Sequence, residues 1–423
     1  MKVLVIGGGG REHALVWKLA QSPRVRKVYC APGNAGIAQL AECVPIAADA
    51  VEQLADFAER EAIDLTVVGP EAALLAGVVD AFEARGLRIF GPRREAALLE
   101  GSKSFAKDLM LTHGIPTAKY QVFTEAEPAL QYVREQGAPI VVKADGLAAG
   151  KGVIVAKTVA EAEEAVRSIL QAKTFGEAGS RVVIEQFLAG EEATVLAFVD
   201  GKNVKLMVPS QDHKQVFDGD QGPNTGGMGT YAPVPRVTDE LLQGIEATIV
   251  RPVAEAMVAR GTPYKGVLYA GLMLTAEGPK VIEFNARFGD PEAQVVLPLL
   301  ENDLVDVIDA VIDGRLQDIR LAWKNGAAVC VILAAQGYPG AYRKGDPIEG
   351  LDRLPEQVVV FHAGTDFVEG RYVTNGGRVL GVTGFGADLK AAKEAAYRGV
   401  QAIHFAGMHY RKDISDKAFR GEK

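Results

Sequence analysis

VIEFNARFGDPEAQ (residues 281–294) decides the reading of this chain. It opens as a strand and sets Glu283 and Asn285 two residues apart. Side chains on a strand alternate faces, so both oxygen donors point the same way. A carboxylate beside an amide carbonyl suits Mg2+, a hard ion with oxygen ligands at about 2.0–2.1 Å. Mg2+ held by so few protein groups usually carries nucleotide phosphates. Arg287 follows on the same parity, placed to meet an anionic substrate. The expectation is a nucleotide-dependent enzyme with this strand at its centre.

Upstream, APIVVKADGLAAGKGVIVAK (138–157) reads as two strands around a Gly/Ala-rich loop, a hairpin with a mobile tip. It is not a P-loop: Gly146 and Gly150 enclose three residues where the motif needs four, and Gly152 follows Lys151. Exposed amides at Gly150, Lys151 and Gly152 can still close over phosphates. Lys143 can reach them as a point charge, although alone it reads equally as a solvated strand lysine. In IEQFLAGEEAT (184–194), Glu185 and Phe187 share a strand face and Glu192 lies beyond a turn. Such a strand can offer its backbone to an adenine edge, and a nearby carboxylate can take ribose hydroxyls. The blander reading is an acidic turn in solvent. In SQDHK (210–214), Asp212 could hold an amine and Lys214 a phosphoryl group. His213 reads equally as a hydrogen-bonded structural histidine. A hydrolytic triad is discounted, because three sequence neighbours cannot stack in the required order and no nucleophile elbow is present.

At the N-terminus, KVLVI (2–6) reads as a buried parallel strand, Gly7 to Gly10 as a turn, and residues 11–21 as a helix. Amides at a helix start can hold a phosphate. The dinucleotide fingerprint fails, since Glu12 or His13 stands at its third glycine. A single phosphate at this turn, such as a sugar phosphate, is the expectation, a mere tight turn the alternative. Strands at 64–70 and 87–92 around a helix at 71–85 extend a parallel sheet that ends near Gly101. Ser102 N-caps the next helix, and residues 161–170 form an amphipathic one. Segments 193–201, 203–212, 266–275 and 279–287 read as one antiparallel sheet. Residues 214–235 read as a long functional loop. A new unit starts at Ala327, with strands at 327–335, 358–364 and 378–386 and a helix at 388–405. The charged tail from Arg411 is expected to fray.

At 423 residues the chain exceeds one ordinary core. A net charge of −8 argues against a nucleic-acid partner but leaves room for local cationic clusters that bind small phosphates. Three dispersed cysteines form no disulfide framework and fit a reducing cytoplasm. The histidines show no HExxH, so zinc is not expected. No apolar run reaches the ~18 residues of a membrane span, and a strand beginning at residue 2 leaves no secretory signal.

These motifs together resemble the ATP-grasp enzymes and, within them, the phosphoribosylamine–glycine ligases. The resemblance runs from GGGGREHA through KADGLAAGKGV, EEATVLAFVDG, SQDHK and GPNTGGMG. RFGDPEAQ (287–294) resembles the signature of that ligase family. The implied fold is multidomain α/β: an N-terminal parallel α/β (pre-ATP-grasp) domain at 1–101, an ATP-grasp α+β core at 102–326, and a small C-terminal α/β domain at 327–423. A mobile flap would span about 111–190. The implied activity is ATP-dependent ligation of glycine to 5-phosphoribosylamine through glycyl phosphate. By resemblance Lys103 and Lys143, with the Gly150–Lys151–Gly152 tip, contact ATP phosphates. Glu185 and Phe187 lie at the adenine and Glu192 at the ribose. Glu283 and Asn285 hold Mg2+ or Mn2+. Gly8, Gly9, Gly10 and Glu71 lie near phosphoribosylamine, with His213 also counted as substrate-binding; Asp212, Arg287 and Asp290 lie near glycine or the acyl phosphate, with Lys214 also counted as catalytic. Many ATP-grasp enzymes carry a further acidic ligand on the preceding strand. LYAGLM (268–273) has none, which leaves the number of metal ions open. Glycine and 5-phosphoribosylamine are the implied partners, with no nucleic acid or membrane, and a monomer is the expectation. The rivals are another ATP-grasp ligase or carboxylase of purine or biotin metabolism, a nucleotide sensor without turnover, and an NAD-dependent oxidoreductase.

Overall fold

The structure, a computed structural model, describes residues 1–420. Its N-terminal sheet is parallel, in the order Glu42–Cys43, Lys27–Pro32, Lys2–Gly7, Leu65–Val68, Ile89–Phe90. The central strand is an unbroken apolar run because helices cover both of its faces. The helix expected over 71–85 is two, Glu71–Leu75 and Val78–Ala84. Gly77 breaks it, at φ +87°, a left-handed conformation that glycine adopts without strain.

Two antiparallel sheets follow. The first runs Tyr120–Phe123, Val182–Gln186, Ile140–Ala144, Val153–Ala156, and is backed by helices Ala126–Gln136 and Val159–Leu170. The 138–157 hairpin is therefore as expected. The second runs Val204–Leu206, Glu191–Asp200, Lys265–Thr275, Gly278–Asn285. Helix Lys103–Thr112 starts at Ser102, whose hydroxyl accepts the Phe105 N–H at 3.2 Å. The two sheets meet where Thr117 Oγ1 donates to Val281 O at 2.7 Å and Lys143 Nζ donates to Ile282 O at 3.2 Å. The structure adds a helical run, Asp239–Ile245 to Arg251–Ala259, joined through a π-helical turn at Glu246–Val250.

Three expectations need correction. Segment 203–212 is not one strand: Val204–Leu206 stays in the second sheet, while Gln211–Asp212 joins another. Pro209 between them has no N–H to continue a ladder. Residues 214–235 are not a loop. They form the hairpin Gln215–Phe217/Gln221–Asn224 and the strand Gly229–Ala232. That strand and Gln211–Asp212 extend the sheet that continues through Ala327–Ala334, Arg378–Gly386 and Val358–His362. Helix Leu389–Ala402 covers this sheet at contact distance: a Cβ at Gly384 would lie 2.2 Å from Ala396 N. Finally, residues 411–420 are packed rather than frayed, with Arg411 fully buried. The last three residues of that call lie outside the described residues.

Candidate active site

Strand Gly278–Asn285 forms one wall of a cleft of about 330 Å³, within the range of small-molecule sites. Phe284 and Ala286 point into the core, while Glu283, Asn285 and Arg287 line the cleft, so the alternation read from the sequence holds. Lys103, Lys143, Glu185 and Lys214 line it too. So do Glu71, Gly150, Gly152 and Asp290. Phe187, Glu192 and Asp212 line adjoining cavities.

The charges are tightly arranged. Glu185 lies between two buried lysines, 3.0 Å from Lys143 Nζ and 3.3 Å from Lys107 Nζ. Burial pushes the Lys107 ammonium down to about 8, against the pull of Glu185. Burial also lowers Lys103, whose Nζ donates to Gly146 O at 3.0 Å. Arg287 is held by two carboxylates, Glu71 at 2.9 Å and Glu100 at 2.8 Å. Burial works against ionising Glu71, but Arg287 and Arg11 outweigh it and hold this carboxyl at about 2. Burial dominates at Glu100 and raises it to about 7. Lys214 Nζ sits 2.7 Å from Asp212, and that carboxylate keeps the ammonium charged against its burial.

Glu283 is different. Among the described residues it makes neither an ion pair nor a hydrogen bond through its side chain. Burial opposes its charge, yet Lys214, Lys143 and Lys103 hold its carboxyl below the usual range. Beside it, the Asn285 amide satisfies its surroundings with the nitrogen toward Glu100 Oε1 (3.1 Å) and Phe284 O (3.2 Å). The carbonyl oxygen is then uncommitted. A free carboxylate with a free amide oxygen is a hard donor pair, as Mg2+ requires. No group of three or more His, Cys, Asp or Glu among the described residues could hold an ion alone. A metal held here would take further ligands from outside the protein, as phosphate oxygens and water can supply, and the residues present fit such a metal.

Residues 1–100, 101–293 and 328–417 match, in turn, the N domain, the ATP-grasp (A) domain and the C domain of phosphoribosylglycinamide synthetase. The chain belongs to this family. It is 52% identical over 415 residues to the phosphoribosylamine--glycine ligase of Caldanaerobacter subterraneus subsp. tengcongensis, covering 98% of this chain and 99% of the relative. It is 56% identical to that of Pseudomonas aeruginosa, covering 100% and 99%. Among solved structures it is similar to the Thermotoga maritima phosphoribosylamine--glycine ligase, with a TM-score of 0.84 at 35% identity over 98% of this chain and 100% of the other. A biotin carboxylase domain from Hydrogenobacter thermophilus matches with a TM-score of 0.74 at 18% identity, covering 97% and 91%, a likeness of fold alone. ATP with a divalent metal is the cofactor pair of this family. No helix among the described residues is long and apolar enough to cross a membrane.

Several of the expected site residues have commitments of their own within the fold. At the Gly8–Gly10 turn one of the three amides is already engaged. Glu12 Oε2 takes the Gly9 N–H at 2.8 Å, and Asp290 Oδ2 faces the Arg11 N–H at 3.4 Å. The side chain of Glu12 fills the turn so closely that a Cβ on Gly69 would lie 2.0 Å from its Oε1. His213 is fully buried: Nδ1 faces Gly229 O at 3.0 Å and Nε2 accepts the Ser415 N–H at 3.3 Å. Its ring is spent on the fold, and burial lowers it to about 4. Lys151 is exposed and lines none of these cavities. Glu185 pairs with the lysines through Oε2, while its buried Oε1 has no hydrogen-bond partner among the described residues.

The structure also adds residues. Arg11 and Arg378 line the cleft on either side of Asp290. Arg378 donates to Asp290 O and Gly226 O, both at 2.9 Å. Apolar walls close a neighbouring pocket: Val141, Val153, Val155, Leu188, Met273 and Ile282. Their strand alternation was legible, but nothing local marks a valine as facing a ligand rather than a core.

Proposed function

We propose that this chain ligates glycine to 5-phosphoribosylamine at the expense of ATP, giving glycinamide ribonucleotide, ADP and phosphate, as a step of purine biosynthesis. The observation that supports it best is the free Glu283–Asn285 donor pair, set among Lys103, Lys143 and Lys214 and next to the Arg287–Asp290 turn. A carboxylate is a poor electrophile. Attack of a glycine carboxylate oxygen on the γ-phosphorus breaks its bond to ADP and gives glycyl phosphate. The 1-amino group of phosphoribosylamine then adds to the acyl carbon. Phosphate leaves, the amine loses a proton, and an amide remains. Such transfer depends mainly on positioning and on neutralising developing charge.

The chain's residues divide this work. The apolar walls with Phe187 and Leu188 take the adenine, and Glu192 takes the ribose hydroxyls. Lys103 and Lys143 bind phosphate oxygens beside the Gly150–Gly152 tip. Glu283 and Asn285 hold Mg2+ or Mn2+, which when bound screens phosphate charge. Arg287, fixed by Glu71 and Glu100, and Lys214, fixed by Asp212, face the glycine carboxylate and the departing phosphate. Arg11 and Arg378, beside the Gly8–Gly10 turn, face the phosphate of phosphoribosylamine. A flap at 111–190 closing over the cleft would keep water from the acyl phosphate. The test is phosphate release by purified protein given ATP, glycine and phosphoribosylamine. Release requiring all three supports the reading, and release requiring bicarbonate instead of glycine overturns it.

A further inference from the structure

The hairpin Gln215–Phe217/Gln221–Asn224 is a weak element in a critical place. Gln215 and Asn224 line the apolar pocket, and Asp220 and Gly222 rim its wider mouth. Yet the hairpin belongs to no larger sheet, and its ladder has two paired positions with an irregularity between them. An isolated two-stranded hairpin is marginal in water.

Much of what holds it comes from about 200 residues later in the chain. Arg411 is 0% exposed. Its Nε and NH2 fork onto Asp413 at 2.8 and 2.7 Å. Its NH1 reaches Gln215 O at 3.2 Å and Asp220 Oδ1 at 3.1 Å. Asp413 in turn accepts the Gly219 N–H at 2.9 Å. The Lys412 N–H donates to Asp218 at 2.8 Å, and Lys417 Nζ pairs with Asp220 at 2.7 Å. Thus one guanidinium, its carboxylate partner and their neighbours seize the first strand and the turn of the hairpin. A planar fork fixes geometry as a flexible ammonium cannot.

We propose that Arg411 is a positioning residue for the nucleotide, acting through the 215–224 hairpin that walls the adenine pocket. The inference rests on the assignment of that pocket to the nucleotide. Arg411→Lys keeps the charge and loses the fork, and Asp220→Asn weakens the same clamp from the hairpin side at a half-exposed site. The probe is ADP with Mg2+, titrated calorimetrically into the full-length protein, followed by steady-state kinetics. For Arg411→Lys the Kd for ADP and the KM for ATP rise roughly tenfold, while kcat and the KM for glycine stay within about twofold. Asp220→Asn shifts the same two constants in the same direction, by less. A purely structural role would reduce the number of binding-competent sites and leave the Kd alone. That result, or unchanged nucleotide constants in folded Arg411→Lys, overturns the proposal. Should Arg411→Lys fail to fold, Asp220→Asn decides by the same criterion. Wild-type protein that does not bind ADP at all would instead sink the pocket assignment.

Discussion

The glycine-rich turn at residues 7–10 and the cleft around Glu283 both carry what an anion or its metal needs. One offers amides at a helix start, the other lysines and oxygen donors on a strand. They differ in what the protein has already spent. At the turn, Glu12 takes the Gly9 N–H, Asp290 faces the Arg11 N–H, and Glu12 also pairs with Arg11 at 2.8 Å. In the cleft, Glu283 keeps its charge without a partner among the described residues, at the focus of three lysines. A motif supplies the potential to bind; free valence decides whether it is used.

The largest test of this contrast is at the turn. Glu12→Ala leaves the buried Arg11 guanidinium without its carboxylate, and should cost about 3–5 kcal/mol of unfolding free energy. Urea denaturation measures it, and a loss below about 1 kcal/mol would mean that Glu12 is not what fills the turn. Glu283→Ala should behave in the opposite way. It should remove at least ~3 kcal/mol of transition-state stabilisation, more than a hundredfold in kcat/KM, with little change in denaturation midpoint. Near-normal turnover at ordinary Mg2+ would remove Glu283 from the metal site. Gly8→Ala sharpens the turn's half of the comparison. Its Cβ would lie 2.6 Å from Gly33 O, a backbone atom, so a loss of roughly 1–3 kcal/mol is expected on overpacking. An unchanged melting temperature would show the turn to be looser than described.

The smallest effect is the pH dependence. Burial lowers His13 to about 3 and His362 and His213 to about 4, His13 further through the charge of His362. Their folded values lie below the unfolded one near 6.5, so the unfolded chain binds more protons as pH falls. Stability is full above about pH 6.5 and is lost below it. Between pH 7 and pH 6 the loss should be about 0.7 kcal/mol per histidine. Replacing His13, which accepts the His362 N–H at 2.7 Å, by Gln should flatten that part of the profile. Identical profiles for variant and wild type would show that His13 does not titrate as described.

Local pattern made much of this molecule legible. Alternation placed Glu283, Asn285 and Arg287 on one face, the 138–157 hairpin formed as read, and Ser102 capped its helix. Long-range pairing was not legible. Gln211–Asp212 is only two residues long, too short for any periodicity, and its sheet is set by strands more than a hundred positions away. The 214–235 segment, rich in glycine and proline, looks like a loop because much of what holds its hairpin, Arg411 and His409 included, lies about 200 residues away. His213 stood in a functional-looking string, but its ring faces Gly229 and Ser415, which only the folded backbone brings together. The tail looked like solvent-facing charge, because sequence does not show that Asp413 and Asp220 enclose Arg411.

The strands Gln211–Asp212 and Gly229–Ala232 enter the sheet that begins again at Ala327, so the covalent order of the chain and its mechanical units do not coincide. A gene cut after codon 326 would release a fragment whose Ala327–Ala334 strand, AAVCVILA and buried throughout, has lost the neighbour on one edge. Such a bare apolar edge recruits other chains. Chimeras between relatives should therefore exchange residues 210–232 together with everything from 327 onward, because recombination at the apparent linker alone would swap half of a sheet.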